Sequence, residues 1–219
     1  MISKPHETNR KFYDRISQVY DIISEANEHK AREAGERLLN LKLGEHVLEI
    51  GYGTGNSVIN MAEFVGPSGK VYGIDVSPGM LKVAQAKIAE RDLLGRIELR
   101  TGDARDLPYE DELFSAAFAS FTLEIFARDD IPMVLAQVRR TLQKGGRFAI
   151  VSMAKVEQGE HSSFLGQTYI WMHRHFPHIV DCRPIDPAQC LFDAGFTIQE
   201  ELTMDIWTIP VKAIVGLKT

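Results

Sequence analysis

The sequence lacks most features typical of extracellular or membrane-spanning proteins. Only two of its 219 residues are cysteines, Cys182 and Cys190, and their number and spacing fit neither a disulfide scaffold nor a zinc site. We expect both to be free thiols. No apolar run reaches the roughly 18 residues of a membrane span, and the polar first residues lack the apolar core of a signal peptide. These absences predict a cytoplasmic protein.

Positive charge is also scarce. The chain has 25 lysines and arginines against 30 aspartates and glutamates, which gives a formal net charge of −5. A surface that neutralises nucleic-acid phosphates is normally basic. We therefore expect a small-molecule or lipid-like partner and no nucleic acid.

Apolar runs alternate with helix-spaced apolar patterns through the middle of the chain, which predicts a doubly wound, mostly parallel sheet. The predicted strands are 46–50, 70–74, 96–100, 114–120 and 146–152, and the predicted helices between them are 55–65, 78–90 and 129–143. A short helix at 187–195 precedes two adjacent antiparallel strands, 196–204 and 205–219, so that the sheet has seven strands.

The whole chain is predicted to form one domain, since 219 residues are too few for two comfortable ones. Its predicted parts are two N-terminal helices in 1–43, a ligand-binding core in 44–152, an insert in 153–186, and a C-terminal helix with a strand pair in 187–219.

Three glycines join the first predicted strand to its helix in the segment VLEIGYGTGNS. They are Gly51, Gly53 and Gly55, whereas the dinucleotide fingerprint needs its third glycine at the sixth position, which is Asn56 here. Glu49 precedes the first glycine by two residues, where its charge would repel a pyrophosphate and attract a cation. A nicotinamide cofactor is therefore disfavoured.

Asp75 ends the second predicted strand, where a carboxylate can accept hydrogen bonds from both hydroxyls of a ribose. S-adenosyl-L-methionine (SAM) is a ligand that has a ribose and a positive group but no phosphate. The sequence resembles the class I SAM-dependent methyltransferases in the stretches VLEIGYGTGNS, VYGIDVSPGML, GDARDLPYEDELFSAAFASFTLE and RRTLQKGGRFAIVS. The resemblance implies a Rossmann-like fold, an enzyme, SAM as methyl donor and S-adenosyl-L-homocysteine as product.

The resemblance also implies roles for the residues that match the family motifs. Glu49 and the glycine turn would face the methionine moiety, and Asp75 would bind the ribose. The remaining roles are adenine contact by Val76, Met80, Asp103 and Ala104, and a wall near the sulfonium formed by Ser120 and Phe121. Simpler alternatives remain open: Asp75 caps the helix at Pro78, Asp103 caps its own turn, and Met80 is a core residue.

A narrower resemblance is to the ubiquinone/menaquinone-biosynthesis C-methyltransferases of the methyltransferase type 11 group. It rests on the YD pair in SQVYDIIS, on FSAAFASFTLEIF and on WTIPVKAIVGLKT. Bacterial phospholipid N-methyltransferases share these features, so a quinol ring carbon and a phosphatidylethanolamine amine are both candidate acceptors. A catalytically silent SAM-binding module is the non-enzyme alternative.

The insert at 153–186 holds four of the seven histidines and several aromatic residues, and it is the predicted acceptor-binding element. We hypothesise that His173 or His175 takes a proton from the acceptor and that Tyr20 closes over the cofactor. A packed lid with solvated histidines is the alternative. The two histidines lack the spacing of a metal site, so no metal is predicted. A lipid acceptor would predict peripheral membrane contact.

Overall fold

The computed structural model describes residues 28–154, 184–206 and 209–219. The first predicted helix, Tyr20, and almost all of the predicted insert with His173 and His175 lie outside the described residues. No helix in the described ranges is both long and apolar enough to cross a bilayer.

In the described residues seven strands form one sheet, as the sequence predicts. They are β1 (His46–Ile50), β2 (Lys70–Asp75), β3 (Ile97–Thr101), β4 (Phe114–Ser120), β5 (Leu142–Met153), β6 (Phe196–Ile206) and β7 (Ile209–Lys218). Their spatial order is β3-β2-β1-β4-β5-β7-β6. The first five strands pair in parallel, and β7 lies antiparallel to both β5 and β6, which confirms the predicted antiparallel C-terminal pair.

Helices cover both faces of this sheet. They are α1 (28–38), α2 (Asn56–Val65), α3 (Pro78–Glu90), α4 (Ile131–Thr141) and α5 (Pro187–Asp193), with a short 3₁₀ helix at Leu123–Ile125. The Ser77 hydroxyl accepts a hydrogen bond from the Met80 N–H at 3.1 Å, and Pro78 is the first helical residue of α3. This is the N-terminal cap that the sequence indicates.

The starts of β5 and β7 each differ by four residues from the predicted bounds, and the difference at β5 has a clear structural reason. The sequence predicts this strand from residue 146, after a helix that runs to residue 143. In the structure α4 ends at Thr141, because Leu142 already pairs with Phe114 of β4. The ladder then breaks and resumes at the pair Ala116 and Arg147.

Two apolar layers pack against the two faces of the sheet. On β4, Ala116 and Phe118 belong to one layer, and Ala117 and Ala119 belong to the other, as the alternation of a strand requires. Because β1, β2 and β4 run parallel and adjacent, their carboxyl ends meet at one edge of the sheet, where open α/β folds bind ligands.

Candidate functional site

A cleft lies at the carboxyl ends of β1, β2 and β4. Most of the residues that the motifs single out line it: Glu49, Gly51, Gly53, Asp75, Val76, Met80, Ala104, Ser120 and Phe121. Gly55 and Asp103 do not line this cleft. The motifs lie far apart in sequence, so it is the parallel sheet that brings them together.

Glycine is needed at the three positions of the turn for different structural reasons. All have positive φ, at 70° for Gly51, 52° for Gly53 and 88° for Gly55, a region that favours glycine. A Cβ on Gly51 would lie 2.3 Å from the Thr122 hydroxyl oxygen, and a Cβ on Gly55 would lie 2.8 Å from that of Ala84. A Cβ on Gly53 would meet nothing within 4 Å, because it would point into open space. Gly51 and Gly55 therefore permit close packing, whereas Gly53 leaves room for a ligand.

Asp75 connects the glycine turn to the start of α3. Its Oδ2 accepts a hydrogen bond from the Gly53 N–H at 2.9 Å, and its Oδ1 accepts one from the Ser77 N–H at 2.9 Å. The helix cap itself is Ser77 and not Asp75. The simple capping alternative therefore does not account for the position of Asp75, which fixes the turn and lines the cleft.

Glu49 brings a buried carboxyl group to the cleft. Its side chain is 2% exposed, and Oε2 has no hydrogen-bond partner among the described residues. Burial raises the pKa of Glu49 well above its ordinary value, and the nearby charge of Glu36 raises it further. A hydrogen bond from Ser57 and the charge of Arg32 act in the opposite direction. A buried acceptor without a partner fits a ligand that brings a donor or a positive charge.

Three of the four residues that are predicted to contact adenine line the cleft, and the fourth does not. Val76 and Ala104 line the cleft, and Met80 lines it while being almost fully buried, so its core and ligand-binding interpretations are compatible. Asp103 instead holds Arg105: its Oδ1 accepts from the Arg105 N–H at 2.9 Å and from Nε at 3.0 Å. The role of Asp103 in binding adenine stays a prediction.

The end of β4 forms a wall of the cleft beside the glycine turn. Phe121 follows β4 with a φ of 49°, which is unusual for a residue other than glycine, and its N–H donates to the Val151 carbonyl at 2.8 Å. The Thr122 hydroxyl donates to the Ser120 carbonyl at 2.9 Å. Such backbone strain is concentrated at functional sites, and here it turns the chain so that Phe121 lines the cleft.

Several cleft residues are not among the predicted site residues. Glu28 and Arg32 of α1 line the cleft, as do Ile125 and Phe126 near the 3₁₀ helix. Burial raises the pKa of Glu28 to about 7, and the charge of Arg32 partly offsets this effect. Glu28 and Arg32 reach the site through the position of α1, which no local spacing reveals, whereas Ile125 and Phe126 lie in the FSAAFASFTLEIF stretch directly after β4.

Glu124 is a second buried carboxyl group, next to the cleft rather than in it. Its side chain is 1% exposed, Oε1 accepts from the Met153 N–H at 3.1 Å, and Oε2 has no partner among the described residues. Burial raises the pKa of Glu124 to about 8, and the charge of Glu28 contributes to the increase. The part of the chain that the structure describes contains no group of three or more His, Cys, Asp or Glu that could hold a metal ion.

The fold and the cleft define the class of protein: an open α/β domain with a cleft at the carboxyl ends of its strands. A family model described as "Methyltransferase domain" matches residues 47–146. Two curated demethylmenaquinone methyltransferases are also similar. The one from Symbiobacterium thermophilum is 31% identical over 150 residues, 67% of this chain and 59% of the relative. The one from Listeria monocytogenes is 34% identical over 159 residues, 71% of this chain and 66% of the relative.

A solved SAM-dependent methyltransferase from Aquifex aeolicus shares the fold. The superposition covers all of both chains, with a TM-score of 0.67 and a sequence identity of 18%. On these comparisons residues 47–146 form a methyltransferase domain, and the chain spans only about 59% to 66% of the length of the two curated relatives.

Proposed function

We propose that this protein transfers a methyl group from SAM to a small or lipid-like acceptor, and that the acceptor is a quinol ring carbon. The observation that carries the proposal is Glu49, a buried carboxyl group with an unpartnered oxygen, in the same cleft as Asp75 and Gly53. The curated relatives named demethylmenaquinone methyltransferases support a quinol as acceptor.

The residues of the cleft suit the chemical groups of SAM. Asp75 lines the cleft with a carboxylate that can accept hydrogen bonds from ribose hydroxyls, and Glu49 and Glu28 can provide negative charge toward a sulfonium or an ammonium group. Val76, Met80 and Ala104 offer apolar surface to a purine, and the missing Cβ of Gly53 leaves space. Bound SAM would supply an activated methyl group on a positively charged sulfur.

The protein's own contribution to such a reaction is positioning and the exclusion of water. Methyl transfer from sulfur is an in-line displacement, so a fixed orientation of donor and acceptor supplies most of the rate. Phe121 and Thr122 form a rigid wall where β4 ends, because Phe121 is fixed to Val151 and Thr122 to Ser120. We infer that this wall holds the reactive end of the cofactor.

The first experiment is turnover of methyl-labelled SAM by the purified protein with a total lipid extract, followed by identification of the labelled lipid. The expected result is label in the quinone fraction. The Asp75→Asn variant should transfer much less label to that fraction than the wild-type protein. Label in phosphatidylethanolamine derivatives would replace the quinol by a phospholipid amine. Tight SAM binding without label in any acceptor would favour a silent binding module.

The predicted proton acceptor needs a separate test, since His173 and His175 lie outside the described residues. A quinol hydroxyl or a phospholipid ammonium must lose a proton before or during methyl transfer, and a histidine poised near neutral pH suits that role. His173→Ala and His175→Ala should lower kcat at saturating SAM, with His178→Ala as a matched control in the same segment. Unchanged turnover in both variants would remove His173 and His175 from the mechanism.

Tyr20 and the membrane contact remain proposals of the same kind. Tyr20→Phe should raise the Kd for SAM if the hydroxyl closes over the cofactor.

A lipid acceptor predicts reversible attachment to liposomes, measured by co-sedimentation. Absence of binding to both neutral and anionic vesicles would argue for a water-soluble acceptor.

A further inference from the structure

Among the described residues, the charged groups that act on Glu49 are more often negative than positive. Glu36 and Arg32 act on it from α1, Asp75 acts on it from the end of β2, and Ser57 of α2 gives it a hydrogen bond. The Arg32 guanidinium lies 3.9 Å from the Glu36 carboxylate. The positive charge of Arg32 is therefore shared between Glu36 and Glu49. An ionised Glu49 would therefore be a buried charge with little compensation.

Burying an unpaired carboxylate costs several kcal/mol, and proteins avoid that cost by keeping the group protonated. Glu49 is 2% exposed and its Oε2 has no partner among the described residues. Burial therefore favours the protonated form of Glu49 while the cleft holds no cation. Glu49 also lines the cleft, where an incoming positive group can compensate its negative charge.

We propose that Glu49 exchanges its proton for the positive charge of the cofactor, so that SAM binds with release of one proton from the cleft. This inference rests on the proposed function, because it takes SAM to be the ligand of the cleft. The step balances: the Glu49 O–H bond breaks, the proton goes to solvent, and the carboxylate is left facing the cation. The protein thereby gains affinity for a cation without a permanent buried charge in the empty site.

The coupling makes SAM affinity depend on pH in a defined direction. A ligand whose binding releases one proton binds about tenfold more tightly for each pH unit gained, as long as the group is protonated beforehand. For the wild-type protein we expect the Kd for SAM to fall about tenfold between pH 6 and pH 7. A Kd that does not change over this range would overturn the inference.

Calorimetry counts the proton directly. The binding enthalpy of SAM is measured at pH 8 in buffers of different ionisation enthalpy, and the slope gives the number of protons released. At pH 8 Glu28 and Glu36, whose pKa values are about 7, are already largely ionised and contribute little. Glu49→Gln should release fewer protons than the wild-type protein. Titration of the amino group of SAM is common to all variants and cancels in the comparison.

Glu124 offers a matched control within the same fold. It is as buried as Glu49 and also has an unpartnered Oε2, but it does not line the cleft. Glu124→Gln should leave the number of released protons unchanged. Equal proton release from the wild-type protein and Glu49→Gln would overturn the inference, as would a loss of release in Glu124→Gln alone.

The two proposals fail in different ways. If SAM does not bind at any pH, the proposed function fails and the inference fails with it. If SAM binds with a pH-independent Kd, the cofactor assignment stands and only the proton exchange at Glu49 is wrong. Should Glu49→Gln not fold, as judged by circular dichroism, a wild-type Kd that does not change with pH would still overturn the inference.

Discussion

The Gly53 N–H donates to Asp75 Oδ2 at 2.9 Å, which ties the turn after β1 to the end of β2. The other oxygen of Asp75 accepts from the Ser77 N–H and so also holds the start of α3. A carboxylate can accept about four hydrogen bonds, so fixing the turn and binding a ribose are compatible. One side chain thereby determines the relative position of the two motifs that form the cleft.

The first prediction concerns the charge of Asp75. Asp75→Asn keeps the size of the side chain but replaces one acceptor oxygen by an amide NH₂ group. This donor would face the N–H of either Gly53 or Ser77, so that one of the two hydrogen bonds is lost. Hydrogen bonds to charged groups contribute about 1.5–3 kcal/mol, so we expect the Kd for SAM to rise roughly 10- to 100-fold. Calorimetric titration measures this change. Asp129→Asn, an exposed aspartate near α4, is the control and should bind SAM normally.

A second prediction separates the roles of two neighbouring glycines. Both Gly51→Ala and Gly53→Ala force a positive φ on alanine, which costs about 1–2 kcal/mol. Gly51→Ala adds a collision with Thr122, worth about 1–3 kcal/mol more. Urea unfolding should therefore show the larger destabilisation for Gly51→Ala. Gly53→Ala should instead reduce SAM affinity, since its methyl group enters the cleft, and equal stabilities would contradict this assignment.

Much of the fold was predictable because the strands carry their own signal. β1 and β4 are continuous apolar runs, as buried parallel strands require, and their predicted bounds match the structure. The start of β5 was not predictable, because Leu142 pairs with β4 through a register break that only the neighbouring strand determines.

The site was predictable only where local spacing encodes it. Glu49 and Asp75 lie at fixed offsets from a glycine turn and a strand end, so the sequence alone indicated them. Glu28 and Arg32 reach the cleft through the packing of α1, a tertiary contact without a local pattern. Asp103 could be placed in its loop, but its hydrogen bonds to Arg105 depend on the geometry of that loop.

A third prediction follows from the raised pKa of Glu124. Its pKa is about 8 in the folded protein against an ordinary value of 4.5, so the folded state holds a proton that the unfolded state has lost. The contribution of Glu124 to stability is therefore fully present below about pH 4.5 and declines as the pH rises toward 8. The slope approaches about 1.4 kcal/mol per pH unit at most.

Glu124→Gln tests this pH dependence. The amide oxygen can still accept from the Met153 N–H, but the group no longer ionises. We expect the variant to lose less stability than the wild-type protein between pH 5 and pH 8, and to be the more stable of the two at pH 8. Urea unfolding across this range gives the comparison. Glu63→Gln, at an exposed ion pair with Arg91, should follow the wild-type curve.

The last prediction concerns Arg147, which connects β5 to the segment between α1 and β1. Its Nε donates to the Leu39 carbonyl at 2.7 Å, and its Nη2 lies 2.8 and 2.7 Å from the two carboxylate oxygens of Glu45. A lysine cannot satisfy both groups from one ammonium. Since both partners are largely buried, Arg147→Lys should cost about 1–3 kcal/mol of unfolding free energy.

The same change should also weaken SAM binding, because Leu39 immediately follows α1, and α1 carries Glu28 and Arg32 to the cleft. Arg91→Lys is the matched control: its ion pair with Glu63 is exposed on both sides, and such pairs contribute about 0–1 kcal/mol. The two variants are compared by thermal unfolding and by the Kd for SAM. If Arg147→Lys lowered stability but left the Kd unchanged, the position of α1 would not depend on this connection, and Glu28 and Arg32 would be held at the cleft by core packing alone.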